Sequence, residues 1–308
     1  MEHLPVMLAE ALQQLTIKKN GVYVDCTFGR GGHSRGILNQ LNASGRLLAF
    51  DRDFEAINSD YAQTLLKDER CLLKQGRFSQ LQSLVASESL AGEIDGILMD
   101  LGVSSPQLDN PERGFSFLRE GPLDMRMEVQ AGISAEQWLA TIDEKKLVRI
   151  LFEYGEERFA RRIARAIVES RSESPLATTK QLASLIEKAV PARDRHKHPA
   201  TRTFQAIRIY INDELDELKA ALQQSAQALR PGGRLVVISF HSLEDRIVKR
   251  FIKDESGAKY DPGKLPVREN DIAKGCLKKI GKSLKASEQE VIQNPRARSA
   301  IMRVAERI

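Results

Sequence analysis

Four short apolar runs recur in the first hundred residues at intervals that leave room for helices between them, and nothing else in this 308-residue chain restricts its fold as much. The runs occupy residues 21–27, 46–51, 71–75 and 94–100, and residues 33–41 and 54–66 read as intervening helices. Strands that are apolar almost throughout, instead of alternating, are buried on both faces. A mostly parallel sheet covered by helices on either side buries them in that way. The pattern therefore predicts an α/β domain whose ligand site lies beyond the carboxyl ends of the strands, where the strand order reverses.

Each of those ends carries residues suited to a ligand. The first strand runs into Asp25-Cys26-Thr27-Phe28-Gly29-Arg30-Gly31-Gly32-His33, where Gly29, Gly31 and Gly32 let the backbone approach a ligand without a Cβ. Asp51 ends the second strand, a position from which a carboxylate accepts both hydroxyl hydrogens of a ribose. Phe78 follows the third and can border an adenine, and Asp100 ends the fourth. A dinucleotide fingerprint starting at Gly29 needs glycine at position 34, where Ser34 stands, and Asp25 places a negative charge just before the turn. That charge repels a pyrophosphate and attracts a sulfonium and an ammonium. The expected cofactor is S-adenosyl-L-methionine, and hydride transfer on a nicotinamide is disfavoured.

After Asp100 the rhythm breaks. Residues 104–126, rich in Gly, Pro, Ser and Asp, read as an ordered or lid-like loop, and residues 134–190 are helical in pattern, with Trp138 on an apolar face as core. Another long helix is expected over 207–229, a strand over 231–240, a helix opened by Ser242-Leu243-Glu244-Asp245, and a closing strand over 299–305. A chain of this length exceeds what one core organises. Its expected division is a discontinuous cofactor-binding domain, 1–108 with 205–308, and a lid and helical insert over 109–204. The apolar faces of the insert suit either an internal core or a homodimer contact.

Cys26, Cys71 and Cys276 lie far apart without histidine partners, so neither a disulfide framework nor a metal site is expected. No basic segment followed by an apolar run opens the chain and no stretch is long and apolar enough to span a bilayer, which points to a cytoplasmic protein without a membrane partner. The net charge of +5 is modest, but its distribution is uneven. Arg193, Arg195, Lys197, Arg202 and Arg208 are opposed only by Asp194, with His196 and His198 interleaved. Lys264, Arg268, Lys274, Lys278, Lys279 and Lys282 form a second basic stretch ending at Lys285. Such stretches suit phosphate contacts, although a solvated helix face has the same composition.

The segments as a whole resemble the bacterial 16S ribosomal RNA cytosine-N4-methyltransferases, the MraW-type family. The likeness is carried by His3-Leu4-Pro5-Val6-Met7-Leu8, the turn from Asp25 to Ser34, Asp100-Leu101-Gly102-Val103-Ser104-Ser105-Pro106-Gln107-Leu108-Asp109 and Arg113-Gly114-Phe115-Ser116-Phe117. It continues through Gly121-Pro122-Leu123-Asp124-Met125-Arg126-Met127, Thr201-Arg202-Thr203-Phe204-Gln205-Ala206-Ile207-Arg208-Ile209 and Ser239-Phe240-His241-Ser242-Leu243-Glu244-Asp245-Arg246. The resemblance implies a Rossmann-like class I S-adenosylmethionine-dependent methyltransferase domain with an inserted all-helical domain. It also implies methylation of the exocyclic amine of a cytidine in the decoding region of 16S rRNA, within the small ribosomal subunit or a late assembly particle. The family's cofactor contacts fall on Gly31, Gly32, His33, Asp51, Phe78, Asp100 and Gln107. Many amino-methyltransferases carry an acidic, amide or hydroxyl residue followed by Pro-Pro-aromatic at the fourth strand end, and this chain lacks the Pro-Pro and the aromatic there. The acceptor of the amine hydrogens is therefore open among Asp100, Ser104, Ser105, Asp124 and His241. His241 also suits a buried helix cap, and Asp124 a turn-stabilising carboxylate. Arg193, Arg195, Lys197, Arg202 and Arg208 are the expected RNA contacts, and Phe115, Phe117 and Phe240 the candidates to stack on a base.

Overall fold

A computed structural model describes residues 5–191, 198–257 and 275–308. The chain forms two compact units, residues 1–102 with 215–308 and residues 103–214.

The first unit is built on seven strands: β1 (Val22–Asp25), β2 (Arg46–Asp51), β3 (Cys71–Gln75), β4 (Ile94–Asp100), β5 (Leu229–Ser239), β6 (Leu277–Lys285) and β7 (Ile301–Arg307). They lie in the order β3-β2-β1-β4-β5-β7-β6, with every pair from β3 to β5 parallel and β7 antiparallel to both β5 and β6. Successive side chains of a strand point to opposite faces, and both faces here are apolar. Val24, Leu48, Phe50, Ile97, Met99, Leu235 and Val237 enter one buried cluster, while Tyr23, Leu47, Ala49, Leu98, Val236 and Ile238 enter another on the opposite face. This is why the strand sequences show no polar alternation.

Helices α1 (Leu8–Leu15), α2 (Gly32–Leu38), α3 (Phe54–Ile57), α4 (Asp60–Leu65) and α5 (Leu81–Ser87) belong to the same unit. The single helix expected over 54–66 is two, because Ser59 takes an extended conformation and caps α4 by accepting from the Ala62 N–H. From β1 the chain moves outward to β2 and β3, then crosses back to β4 on the other side of β1. The switch point thus lies between β1 and β4, and Asp25, Asp51 and Asp100 are the last residues of β1, β2 and β4.

The second unit contains α6 (Ser105–Asp109), α7 (Ala135–Thr141), α8 (Glu144–Gly155), α9 (Ala160–Glu173), α10 (Thr179–Ala189) and α11 (Ala200–Ile211). Its core includes Trp138, as the apolar pattern predicts, together with Leu139, Leu147, Leu151, Ile163, Ile167, Leu182, Ile186 and Ile207. Of the two expectations for 104–126, the ordered loop agrees with the structure, since the segment is part of this unit's body. Leu123 and Met125 are buried in its core, and backbone bonds tie Leu123 to Ala177 and Gly121 to Thr179.

The long helix expected over 207–229 is broken. Asp213 takes φ +51°, which ends α11, and α12 (Glu214–Ala228) starts immediately after it. Asn212 holds the break: its Oδ1 accepts the Met127 N–H at 2.8 Å, and its Nδ2 donates to the Met125 and Arg208 carbonyls at 2.8 and 2.9 Å. The units consequently divide at 102/103 and 214/215 instead of the expected 108/109 and 204/205. The first unit resumes at Leu215 within α12 and continues through β5, α13 (Ser242–Glu255), β6, α14 (Glu288–Gln293) and β7. The edge strand β6, rich in lysine, was absent from the sequence-based expectation, and among the described residues no helix is long and apolar enough to cross a membrane.

Candidate active site

The glycine turn after β1 is organised around Asp25. This carboxylate is fully buried; its Oδ1 accepts from the Thr27 N–H at 3.0 Å and the Thr27 hydroxyl at 3.3 Å, and its Oδ2 from the Ser34 hydroxyl at 2.6 Å. Asp25 therefore acts on a ligand through its field and through the shape of the turn. Ser34, the residue that breaks the dinucleotide pattern, occupies its position as a hydrogen-bond donor to that carboxylate. The Thr27 hydroxyl oxygen also accepts the Asp100 N–H at 2.7 Å, which joins the ends of β1 and β4. Gly31 caps α2 at φ +71°, and a Cβ there would stand 2.8 Å from the Phe28 ring. Position 31 thus requires glycine for conformation and for space.

Asp51 connects this turn to β2. Its Oδ2 accepts the Gly29 N–H at 2.8 Å, its Oδ1 the Asp53 N–H at 2.9 Å, and burial raises its pKa to about 6 despite those two bonds. His33 is buried at the start of α2; its Nε2 donates to the Val6 carbonyl at 3.0 Å, and its Nδ1 lies 3.7 Å from Asp100 Oδ2. Burial, and then the charges of Asp25, Glu244 and Glu290, push the Asp100 pKa well above the usual carboxylate range. Asp100 Oδ1 is shielded from solvent and has no hydrogen-bond partner. A buried unpaired acceptor costs about 1–3 kcal/mol. A carboxylate in that condition among other acids favours a cation or a hydrogen-bond donor beside it.

Phe78 follows β3, half-buried against the sheet core, in a short turn (Phe78–Gln80) held by the Ser79 N–H donating to Glu217 Oε2 at 3.0 Å. His241 is the N-cap of α13, one residue before the signature that opens this helix in the sequence. Its ring accepts from the Glu244 N–H, and the Glu244 carboxylate accepts from the Phe240 and His241 N–H groups at 2.8 and 3.2 Å. Capping engages Nδ1 of His241, while its Nε2 lies 3.1 Å from Glu244 Oε1.

Gln107, Ser104, Ser105 and Asp124 belong to the second unit. Ser104 and Gln107 form a reciprocal cap at the start of α6, with the Ser104 N–H donating to Gln107 Oε1 at 2.8 Å, and Ser105 is the first residue of that helix. Asp124 is held by Arg126 through two bonds of 2.9 and 2.7 Å. Burial pushes its pKa up, but the guanidinium outweighs burial and leaves it below the usual range. A carboxylate so paired is a poor proton acceptor, which favours the turn-stabilising role.

Arg193, Arg195 and Lys197 lie outside the described residues. Arg202 is half-exposed, with Nη1 donating to the Glu156 carbonyl at 3.2 Å. Arg208, also expected as an RNA contact, has a side chain 16% exposed that makes two 2.8 Å bonds to Glu214, itself 8% exposed. Removing one partner of a buried pair strands the other charge. Arg208→Ala is therefore expected to destabilise the protein by about 3 kcal/mol in denaturant unfolding, while leaving the salt dependence of RNA binding unchanged. Among the stacking candidates, Phe115 is buried in the second unit's core, which removes it from the surface. Phe117 is half-buried, stacked on His198 at 4.4 Å and edge-on to Phe204 at 5.0 Å; Phe240 is half-buried against the first unit's core.

Thr27, Ser34, Glu244 and Glu290 were not identified as site residues from sequence. Thr27 and Ser34 stood inside the turn without a signal distinguishing them from ordinary polar residues. Glu290 lies on α14, far along the chain, and its Oε1 accepts the Met7 N–H at 2.6 Å.

The sequence matches the MraW methylase family over residues 1–308. It is 55% identical over 306 residues to the ribosomal RNA small subunit methyltransferase H of Hydrogenovibrio crunogenus, covering 99% of this chain and 96% of that protein. The protein of the same name from Pseudoalteromonas atlantica is 53% identical over 307 residues, covering 99% and 98% of the two chains. That from Methylococcus capsulatus is 55% identical over 303 residues, covering 98% and 99%.

Proposed function

Since the chain belongs to the MraW methylase family, we propose that it methylates 16S ribosomal RNA on the exocyclic N4 of a cytidine in the decoding region, with S-adenosyl-L-methionine as donor. The observation that carries the reading is the acidic setting of the glycine turn: Asp25, Asp51, Asp100, Glu244 and Glu290 surround a switch-point site in which Asp100 Oδ1 is buried and unpaired. A sulfonium and an ammonium fit that setting, and a pyrophosphate does not. The name of the relatives supplies the small-subunit rRNA. The N4 atom and the decoding region come from the resemblance of the motifs.

When bound, S-adenosyl-L-methionine supplies an electrophilic methyl group. Asp51 would accept the ribose hydroxyls, Phe78 would border the adenine, and the turn at Gly29, Gly31 and Gly32 would admit the methionine portion, with His33 and Gln107 as further contacts. A cytosine amine is a weak nucleophile because its lone pair is delocalised into the ring. Alignment and an acceptor for its hydrogens therefore carry most of the catalytic effect. Of the candidate acceptors, Asp100 is the one with raised proton affinity and a free oxygen, whereas Asp124 is neutralised by Arg126 and His241 is a cap.

The test is incubation with labelled S-adenosyl-L-methionine and small ribosomal subunits from a strain lacking the protein, followed by nuclease digestion and mass analysis. One added methyl on one cytidine, at N4, is the expected result. Label on another nucleotide would refute the assignment of the acceptor, and no label would leave only a binding protein.

A further inference from the structure

Strand β6 takes up the second basic stretch of the sequence, of which Lys264, Arg268 and Lys274 lie outside the described residues. It pairs with β7 and forms the edge of the sheet, three places from β4. Its register slips between Ile280 and Leu284, where Gly281 takes φ +58°. Bulges of this kind bend an edge strand and re-aim its side chains. At this bulge a cavity of about 420 Å³ opens between β6, β7 and the second half of α13. Ile252, Ile280 and Val304 provide its apolar lining, and Lys249, Lys253, Lys279 and Lys282 its charged one. Arg303 also lines it but is bound to Asp245 by bonds of 2.7 and 2.9 Å. Among the described residues the lining includes no acid, and none of the four exposed lysines is in an ion pair.

Lysines on an edge strand discourage pairing with another sheet, which accounts for Lys279 and Lys282. It does not account for Lys249 and Lys253 on α13, which stand four residues apart and face the same cavity. Like charges at that spacing destabilise a helix. Four converging ammonium groups around an apolar floor complement a nucleotide, whose base has an apolar face and whose flanking phosphates are anionic. The volume falls within the range of small-ligand sites.

We propose that this cavity holds an unpaired nucleotide of the RNA substrate, with the base against Ile252, Ile280 and Val304 and the adjacent phosphates against Lys249, Lys253, Lys279 and Lys282. The inference rests on the reading of the chain as an rRNA methyltransferase and adds a contact at the sheet edge, apart from the strand ends that form the cofactor site. The test compares the wild-type protein, a variant with all four lysines changed to alanine, and one with all four changed to arginine. Binding of an unmodified 16S rRNA transcript is measured across a salt series, with S-adenosyl-L-methionine affinity measured by calorimetry on the same preparations. The alanine variant is expected to bind RNA at least about tenfold more weakly, with the log–log salt slope shallower by about 3, as four single-strand phosphate contacts require. The arginine variant keeps wild-type binding, and cofactor affinity stays constant in all three. Wild-type affinity and slope in the alanine variant would overturn the proposal and leave the lysines as edge protection alone. An equal loss in the arginine variant would also overturn it, by assigning the effect to shape. A wild-type protein that binds the cofactor but no RNA would remove the rRNA reading together with this inference.

Discussion

Asp51→Ala is expected to weaken S-adenosyl-L-methionine binding by about 100-fold or more, measured by isothermal calorimetry at pH 7.5. Hydrogen bonds to a charged acceptor contribute about 1.5–3 kcal/mol each, and a ribose offers two. The substitution also leaves the Gly29 and Asp53 N–H groups without their acceptor, which loosens the turn itself. Affinity in the wild-type protein is expected to follow the charge on this carboxyl. With a pKa of about 6, Asp51 in the free protein is ionised at pH 7.5 and about nine-tenths protonated at pH 5. Since only the ionised form accepts both hydroxyls, affinity is expected to fall about tenfold from pH 7 to pH 5. The same shift acts on folding with the opposite sense. The native state holds this proton more tightly than the unfolded chain, so Asp51 favours folding below pH 4 and loses that contribution as the pH rises through 6. Affinity that stays flat over this range would show that Asp51 does not contact the donor through its charge.

The second large effect is expected at Asp100. Asp100→Asn is nearly isosteric and keeps the N–H that Thr27 accepts, so the turn survives, but it removes the acid that, among the described residues, has an oxygen both buried and unpaired. Loss of a positioned proton acceptor is worth roughly 10²–10⁴ in rate. Single-turnover methyl transfer to small subunits is expected to slow by about 10²–10³. Asp124→Asn, which removes a carboxylate already committed to Arg126, is expected to leave the single-turnover rate within a few-fold of wild type. In the wild-type protein the rate is expected to rise with pH through the raised pKa of Asp100, and in Asp100→Asn to lose this dependence. If Asp124→Asn were the slow variant and Asp100→Asn the normal one, the acceptor would have to be sought in the second unit.

That Asp25, Asp51 and Asp100 end their strands was legible because the signal is local. A glycine run after an apolar strand, with an acid closing the next strand, has a physical meaning that does not depend on the rest of the chain. The partners of Arg208 and Asp124 were hidden for the converse reason. A charged residue in a basic or turn-rich stretch looks solvent-facing until its partner is known, and neither the Glu214 pairing of Arg208 nor the Arg126 pairing of Asp124 has a pattern that separates it from chance. The break at Asp213 was hidden similarly, since its left-handed backbone is held by Asn212 bonds to Met125 and Met127, more than eighty residues away. Strand β6 escaped notice because an edge strand facing solvent has little apolar content to reveal it.

By itself, then, the sequence determined the buried parallel sheet and the place of the glycine turn and of the acids at the strand ends, because burial on both faces and glycine at a tight turn are written in consecutive residues. Only the tertiary structure decided what each charged group is free to do. It committed Asp25 to Thr27 and Ser34, Asp124 to Arg126, Arg208 to Glu214 and His241 to a helix end, and it left Asp100 Oδ1 without a partner. Whether a polar group is available for chemistry depends on which partners lie within about 3 Å of it, and in a folded chain those partners come from any distance along the sequence.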